Sequence, residues 1–243
     1  MTARRKMALL VVFLTTVIAL FAVAPVASWV EFALTKMHGG YTVAERVEQY
    51  GEQVLARLEP DFANTGLAYP PRYVALVAFK DAKRLELHAK GSSADAWRRV
   101  REYPILAASG RAGPKLREGD RQVPEGIYRL ESLNPNSRYH LALRLDYPNA
   151  FDRRMAALEG RIALGGDIMI HGNAVSIGCL AIGDEAAEDL FVLAALAGKE
   201  NVEIIVAPTD LRVSAFAPRP EDPSWIPVLY EEILTSLGAF VAR

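Results

Sequence analysis

Cys179 is the one cysteine in this chain of 243 residues, and it stands in the run His171-Gly172-Asn173-Ala174-Val175-Ser176-Ile177-Gly178-Cys179-Leu180. A thiol becomes a nucleophile when a neighbouring base removes its proton. His171 is the nearest histidine in sequence. A strand, a tight loop and a second strand would bring the two side chains together, and His171 would take the thiol proton and return it to a leaving amine. Gly172 lets the backbone approach the imidazole, where a carbonyl would hold its tautomer. Gly178 lets the chain turn immediately before the thiol. The backbone N–H groups of Gly178, Cys179 and Leu180 are candidates for facing a tetrahedral oxyanion, and Ser176 for a hydrogen bond within the turn. The competing reading makes Cys179 a small buried hydrophobe and the glycines ordinary turn residues. A metal site built from His171, Cys179 and His140 lacks paired ligands at a zinc spacing, so neither metal nor other cofactor is expected.

The setting of the thiol depends on the N-terminus. Arg4, Arg5 and Lys6 precede an uncharged run from Met7 to Val30. At ~1.5 Å per helical residue the run is long enough to cross a hydrocarbon core of ~30 Å. Residues 1–30 therefore read as a single membrane anchor with a cytoplasmic N-terminus, placing the rest of the chain in the periplasm at the inner membrane. A cleaved signal peptide, with Ala22-Val23-Ala24 as the cut site, is the alternative. In an oxidising compartment a lone thiol has no partner in its own chain, which favours a working role. The net charge of −1 gives no reason to expect a nucleic-acid partner.

The elements that must position the thiol follow from periodicity. Residues 31–71 read as a helical segment and linker, with a helix from Thr42 to Glu59 opened by a Thr42/Glu45 capping box and striped by Val43, Val47, Val54 and Leu58. Strand signals run from Tyr73 to Phe79, Leu85 to Ala89, Trp97 to Ala107, Ile127 to Leu133 and Arg138 to Leu145, the last two separated by a turn at Asn134-Pro135-Asn136. Residues 110–126 form a long polar loop. A short helix is expected within 148–159, a strand over 167–170 and another over 201–207. Asp184 would cap a helix to Leu196, and Ser224 a last helix through Phe240, whose apolar spacing points to core packing. The fold class is α+β: a strand-rich core over 72–208 with peripheral helices, followed by a C-terminal loop and helix over 209–243.

The run IMIHGNAVSIGCLAIGDEAAEDLF resembles the active-site segment of YkuD-type L,D-transpeptidases, which share an HG…SxGC pattern. The upstream stretch GPKLREGDRQVPEGIYRLESLNPNSRYHLALRLDYPN is similar to the YafK-like branch of that family, and the similarity covers Tyr73 to Pro208. The resemblance implies a β-rich catalytic fold in which Cys179 attacks a peptidoglycan stem peptide and forms a thioester. Residue by residue, it implies His171 as general base, Gly172 as the position whose carbonyl orients the ring, and Ser176 and Gly178 as the turn. Ile177 and Ala181 depart from the family, whose members usually carry His at the first position and Arg or Asn at the second, and most members have a longer insert before Ser-x-Gly-Cys. The same branch includes hydrolysis of a wall-linked lipoprotein, so the resemblance leaves open whether an amine or water resolves the thioester. A wall-binding module with a structural cysteine is the non-enzymatic alternative.

For the substrate, Lys115 and Arg121 in the polar loop are candidates for holding a stem-peptide carboxylate, against a surface loop whose charges pair with Glu118 and Asp120. Arg138, Tyr139 and His140 are expected on a strand lining the cleft, with His140 alternatively a structural histidine.

Overall fold

In this computed structural model, residues 39–217 and 219–240 are described. The expected anchor lies outside them, and among the described residues no helix is long and apolar enough to cross a membrane. The core is one nine-stranded sheet carrying a few helices.

Helix α1 (Val43–Thr65) opens with the capping box read from the sequence, the Thr42 hydroxyl accepting from Glu45 N–H and the Glu45 carboxylate from Thr42 N–H. It runs past the expected end. Pro60 lies inside it, and the segment read as a linker is helical as far as Thr65, where Gly66 closes the helix in a left-handed conformation. The reason is a stripe of five buried side chains spaced four apart, Arg46, Tyr50, Val54, Leu58 and Phe62; the last would lose its place in the core if the helix stopped at Glu59.

The centre of the sheet is β1 (Tyr73–Phe79), antiparallel to β2 (Arg84–Lys90) and parallel to β9 (Val202–Ala207). Both faces of β1 are covered, which explains its unbroken apolar run. Val74, Leu76 and Ala78 pack with α1 and with α3 (Asp184–Ala197), while Ala75, Val77 and Phe79 pack against α4 (Ile226–Leu237). β3 (Arg98–Pro104) extends the sheet beyond β2. On the other side, the long strand β5 (Gly126–Ser137) joins two halves: its first residues pair with β9 and its later ones with β6 (His140–Leu145).

The expected turn at Asn134-Pro135-Asn136 is not a turn. The strand continues through it with a shift of register, where Asn134 Oδ1 accepts from Asn136 N–H at 3.0 Å and proline needs no ladder bond. The chain reverses instead at Arg138-Tyr139, where Ser137 Oγ accepts from Tyr139 N–H at 3.0 Å. Helix α2 (Ala150–Leu158) is capped by Asn149. Two other expected caps are absent: α3 starts after Gly183 and α4 after Trp225, neither with a side-chain cap.

Beyond β6 lie β7 (Met169–His171), β8 (Leu180–Ala181) and the edge strand β4 (Ala107–Ala108). The β7–β8 pair is parallel, and the cysteine run is the loop that joins them.

Candidate active site

The β7–β8 register pairs Ile170 with Leu180 and His171 with Ala181. Extended by one residue, it sets Cys179 beside Met169 and, by the two-residue alternation of strands, on the side of the sheet that His171 faces. His171 thus ends β7, and Cys179 ends the loop one residue before β8. Among the described residues no hydrogen bond joins them; Cys179 Sγ lies 3.6 Å from the Asp167 carbonyl instead.

His171 is 2% exposed, and its Nδ1 lies 2.6 Å from the Gly172 carbonyl. A carbonyl only accepts, so Nδ1 carries the proton and Nε2 keeps its lone pair. The Tyr139 ring stacks on the imidazole at 4.8 Å. Burial holds the imidazole pKa below its ordinary value, partly opposed by the Gly172 carbonyl and the Asp184 carboxylate. Burial pushes the Cys179 thiol up, as does the charge of Asp167, against the Met169 backbone N–H and the charge of Lys115. Both shifts favour neutral forms. The two directions weigh toward thiol and imidazole over thiolate and imidazolium, so that the nucleophile forms as the proton is transferred.

Gly172 is required by space. A Cβ there would stand 2.5 Å from Asp184 Oδ1 and 2.9 Å from both His140 Cβ and the Tyr139 carbonyl oxygen. Asp184, expected as a helix cap, instead accepts from Asn173 N–H at 2.7 Å and so ties the start of α3 to the loop after His171. Gly178 has φ +98°, a conformation that favours glycine.

The turn before the thiol is held by two hydroxyls. Ser176 Oγ donates to the Cys179 carbonyl at 2.6 Å and accepts from Cys179 N–H at 3.2 Å. Ser109 Oγ, from the segment after β4, accepts from Gly178 N–H at 2.6 Å, and Ser109 N–H donates to Ser176 Oγ at 3.2 Å. Two of the N–H groups expected to face an oxyanion are therefore occupied by serine oxygens in this structure. Nothing in the sequence marks Ser109, which lies 67 positions from Ser176 and arrives only because β4 pairs with β8.

The expected carboxylate holders divide. Lys115 is 7% exposed, and its Nζ bonds Asp120 Oδ1 at 2.6 Å and the Arg117 carbonyl at 2.8 Å. It folds the loop rather than reaching outward, and Asp120 draws the loop tighter by accepting from the N–H groups of Leu116, Arg117 and Gln122. Arg121 is exposed. Arg138 and Tyr139 sit on the hairpin turn rather than within a strand, and Tyr139 reaches His171. His140 Nε2 lies 3.0 Å from Glu188 Oε1, and its ring meets the Tyr50 ring edge-on at 5.4 Å, a structural placement. Glu188 also pairs with Arg57 of α1 at 2.9 Å. No group of three or more metal-ligating side chains occurs among the described residues.

Residues 73–204 match the YkuD family, the L,D-transpeptidase catalytic domain. The Escherichia coli (strain K12) protein named "Putative L,D-transpeptidase YafK" is 36% identical over 143 residues, which cover 57% of this chain and 54% of that relative. The chain thus spans about half the length of the curated relative it matches. Among solved structures, the helical cell shape determining protein Pgp2 from Campylobacter jejuni aligns with 24% identity and a TM-score of 0.44, over 58% of this chain and 50% of that one. Mycobacterium tuberculosis L,D-transpeptidase 1 aligns with 18% identity and a TM-score of 0.32, over 56% of this chain and 62% of that one.

Proposed function

The chain belongs to the YkuD family of L,D-transpeptidase catalytic domains, and on that premise we propose that it is a cysteine acyltransferase of the cell envelope acting on peptidoglycan stem peptides. The observation that carries the reading is the Nδ1 contact of His171 with the Gly172 carbonyl, which leaves Nε2 as the basic nitrogen beside the cysteine turn.

In the first step Nε2 takes the thiol proton as Cys179 Sγ attacks the carbonyl carbon of the donor stem. The C–S bond forms, the peptide C–N bond breaks, and the proton passes from Nε2 to the leaving amine. In the second step an amine attacks the thioester. The C–N bond forms, the C–S bond breaks, and the amine's proton returns through Nε2 to the sulfur. Oxyanion stabilisation requires the Gly178 and Cys179 N–H groups to exchange their serine partners for the substrate oxygen. Water in place of the amine gives hydrolysis of a stem peptide or of a wall-linked lipoprotein. The family match supports a cell-envelope setting, and the uncharged run from Met7 to Val30 is what supports a periplasmic catalytic part held at the inner membrane by residues 1–30.

Mass spectrometry of sacculi incubated with the protein tests the reading. New cross-links are expected with the native chain and none with Cys179→Ala; released fragments without cross-links would replace transfer by hydrolysis, and unchanged sacculi would end the enzymatic reading.

A further inference from the structure

Two buried charges take no part in the acylation step. Lys80 directly follows the central strand β1 and Glu125 directly precedes β5; their side chains are 5% and 0% exposed and lie 3.1 Å apart. Such a pair adds little to stability, because both charges lose their water; what it can supply is a fixed geometry. Three acceptors surround the three-donor ammonium of Lys80: the Gly113 carbonyl at 2.9 Å, the Val123 carbonyl at 2.8 Å and Glu125 Oε1. Glu125 Oε1 accepts in turn from Gly113 N–H at 2.7 Å, and its Oε2 from the Tyr230 hydroxyl of α4 at 2.7 Å.

These bonds draw together the two ends of the polar loop of residues 110–126. Gln122 laces the same neck: its Nε2 donates to the Arg111 and Gly113 carbonyls at 2.8 Å each, and its Oε1 accepts from Arg111 N–H at 2.8 Å. The neck meets the cysteine turn on two sides. Ser109 Oγ accepts from Gly178 N–H at 2.6 Å, and the Gln122 carbonyl oxygen stands 3.5 Å from where a Gly178 Cβ would be. Gly178 is thus held between the two ends of the loop, one residue before the thiol. The strand that carries Ser109 to this place, β4, is an edge strand of two residues and offers little rigidity of its own. β1 is paired on both sides at the middle of the sheet. Resting on the acyltransferase reading, we propose that Lys80 and Glu125 are positioning residues for the nucleophile: they clamp the loop neck to the end of β1 and so fix Gly178 and the line along which Cys179 Sγ meets the donor carbonyl. Neither touches the reacting atoms. A misplacement of about 1 Å, even from a change far from the chemistry, costs about a hundredfold in rate.

Acylation of the full chain by a carbapenem, followed by stopped-flow fluorescence over a range of probe concentrations, separates probe affinity from the acylation rate constant. Lys80→Met and Glu125→Gln are each expected to lower stability in urea, because one buried charge loses its partner, and to lower the rate constant about a hundredfold with the affinity unchanged. The double substitution leaves no unpaired charge. It is expected to be more stable than either single variant while acylation stays slow, because the Gly113 and Val123 carbonyls still lack the ammonium. Ile233→Val, in the buried row of α4 away from the neck, is expected to lower stability and keep the native rate constant. A double variant that acylates as fast as the native chain, or rate constants that track stability through every variant, Ile233→Val included, makes the pair purely structural and overturns the proposal while leaving the acyltransferase reading intact. Absence of any acyl-enzyme from the native chain overturns both.

Discussion

His88 and His171 are both buried, at 1% and 2% exposure, in opposite halves of one sheet, yet the fold equips them differently. His88 on β2 faces a carboxylate: its Nε2 lies 2.9 Å from Glu86, which Arg84, Arg99 and Arg212 also approach. Among the described residues its buried Nδ1 has no hydrogen-bond partner, and its ring is packed against Phe240. His171 on β7 faces a neutral carbonyl. Burial outweighs the pull of that carbonyl and of Asp184 toward the imidazolium, and the carbonyl fixes the tautomer, so the free nitrogen stays a base. Burial of a histidine is therefore no guide to its role; the partner of the first ring nitrogen decides what the second can do.

The contrast is sharpest in activity. Replacing His171 with Ala is expected to slow acylation by a carbapenem-like probe by 10²–10⁴-fold, the range for loss of a general base, as followed by stopped-flow fluorescence. His88→Gln is expected to lower the melting temperature and leave the acylation rate unchanged at temperatures where the chain remains folded. Equal losses from the two substitutions would erase the distinction.

The loop beside the thiol gives the next largest effect. Lys115→Met leaves Asp120 half-buried with no cation against it, and breaking such a pair costs about 3–5 kcal/mol, less where water reaches the carboxylate. Arg121→Ala, at an exposed residue of the same loop, is expected to stay within about 0.5 kcal/mol. Urea denaturation of both variants measures the difference, and similar stabilities would return Lys115 to the role of an open substrate contact.

The titration of the pair follows in size. With His171 held below the ordinary value of about 6.5, acylation is expected to fall with acid only through a midpoint lower than that. With Cys179 raised, alkylation by iodoacetamide is expected to climb through a midpoint above the ordinary thiol value of about 8.5. A thiolate already present at neutral pH would contradict the neutral pair. The sign for stability agrees. Between the folded and unfolded histidine values the unfolded chain binds more protons, so stability falls as pH drops from about 6.5 through the folded value, and His171→Gln removes that slope.

Ser109→Ala acts on the turn before the thiol. It strips Gly178 N–H of its partner, and a loss of about 1–3 kcal/mol is expected with slower acylation. Ser109→Thr, which keeps the hydroxyl, is expected to restore both.

Much of this was legible in neighbouring residues. The Thr42 box, the β-rich apolar run of β1 and the His-Gly step depend on residues a few positions apart, and short-range hydrogen bonding and local composition write themselves into local sequence. The turn at Arg138-Tyr139 escaped because Asn134-Pro135-Asn136 is an equally good local signal, and only the pairing of β5 with β6 shows that proline can sit in a bulge there. The extension of α1 escaped because Phe62 finds its core only after the sheet has formed.

The order of residues alone pointed to the side chains proposed to carry the chemistry: one thiol, one histidine and the glycines that let the backbone close around them. Tertiary structure decided their state. Strand order brings Ser109 to Gly178 and stacks Tyr139 on His171. Such contacts join segments distant along the chain, and which segments meet depends on how the whole apolar surface is buried rather than on any local preference.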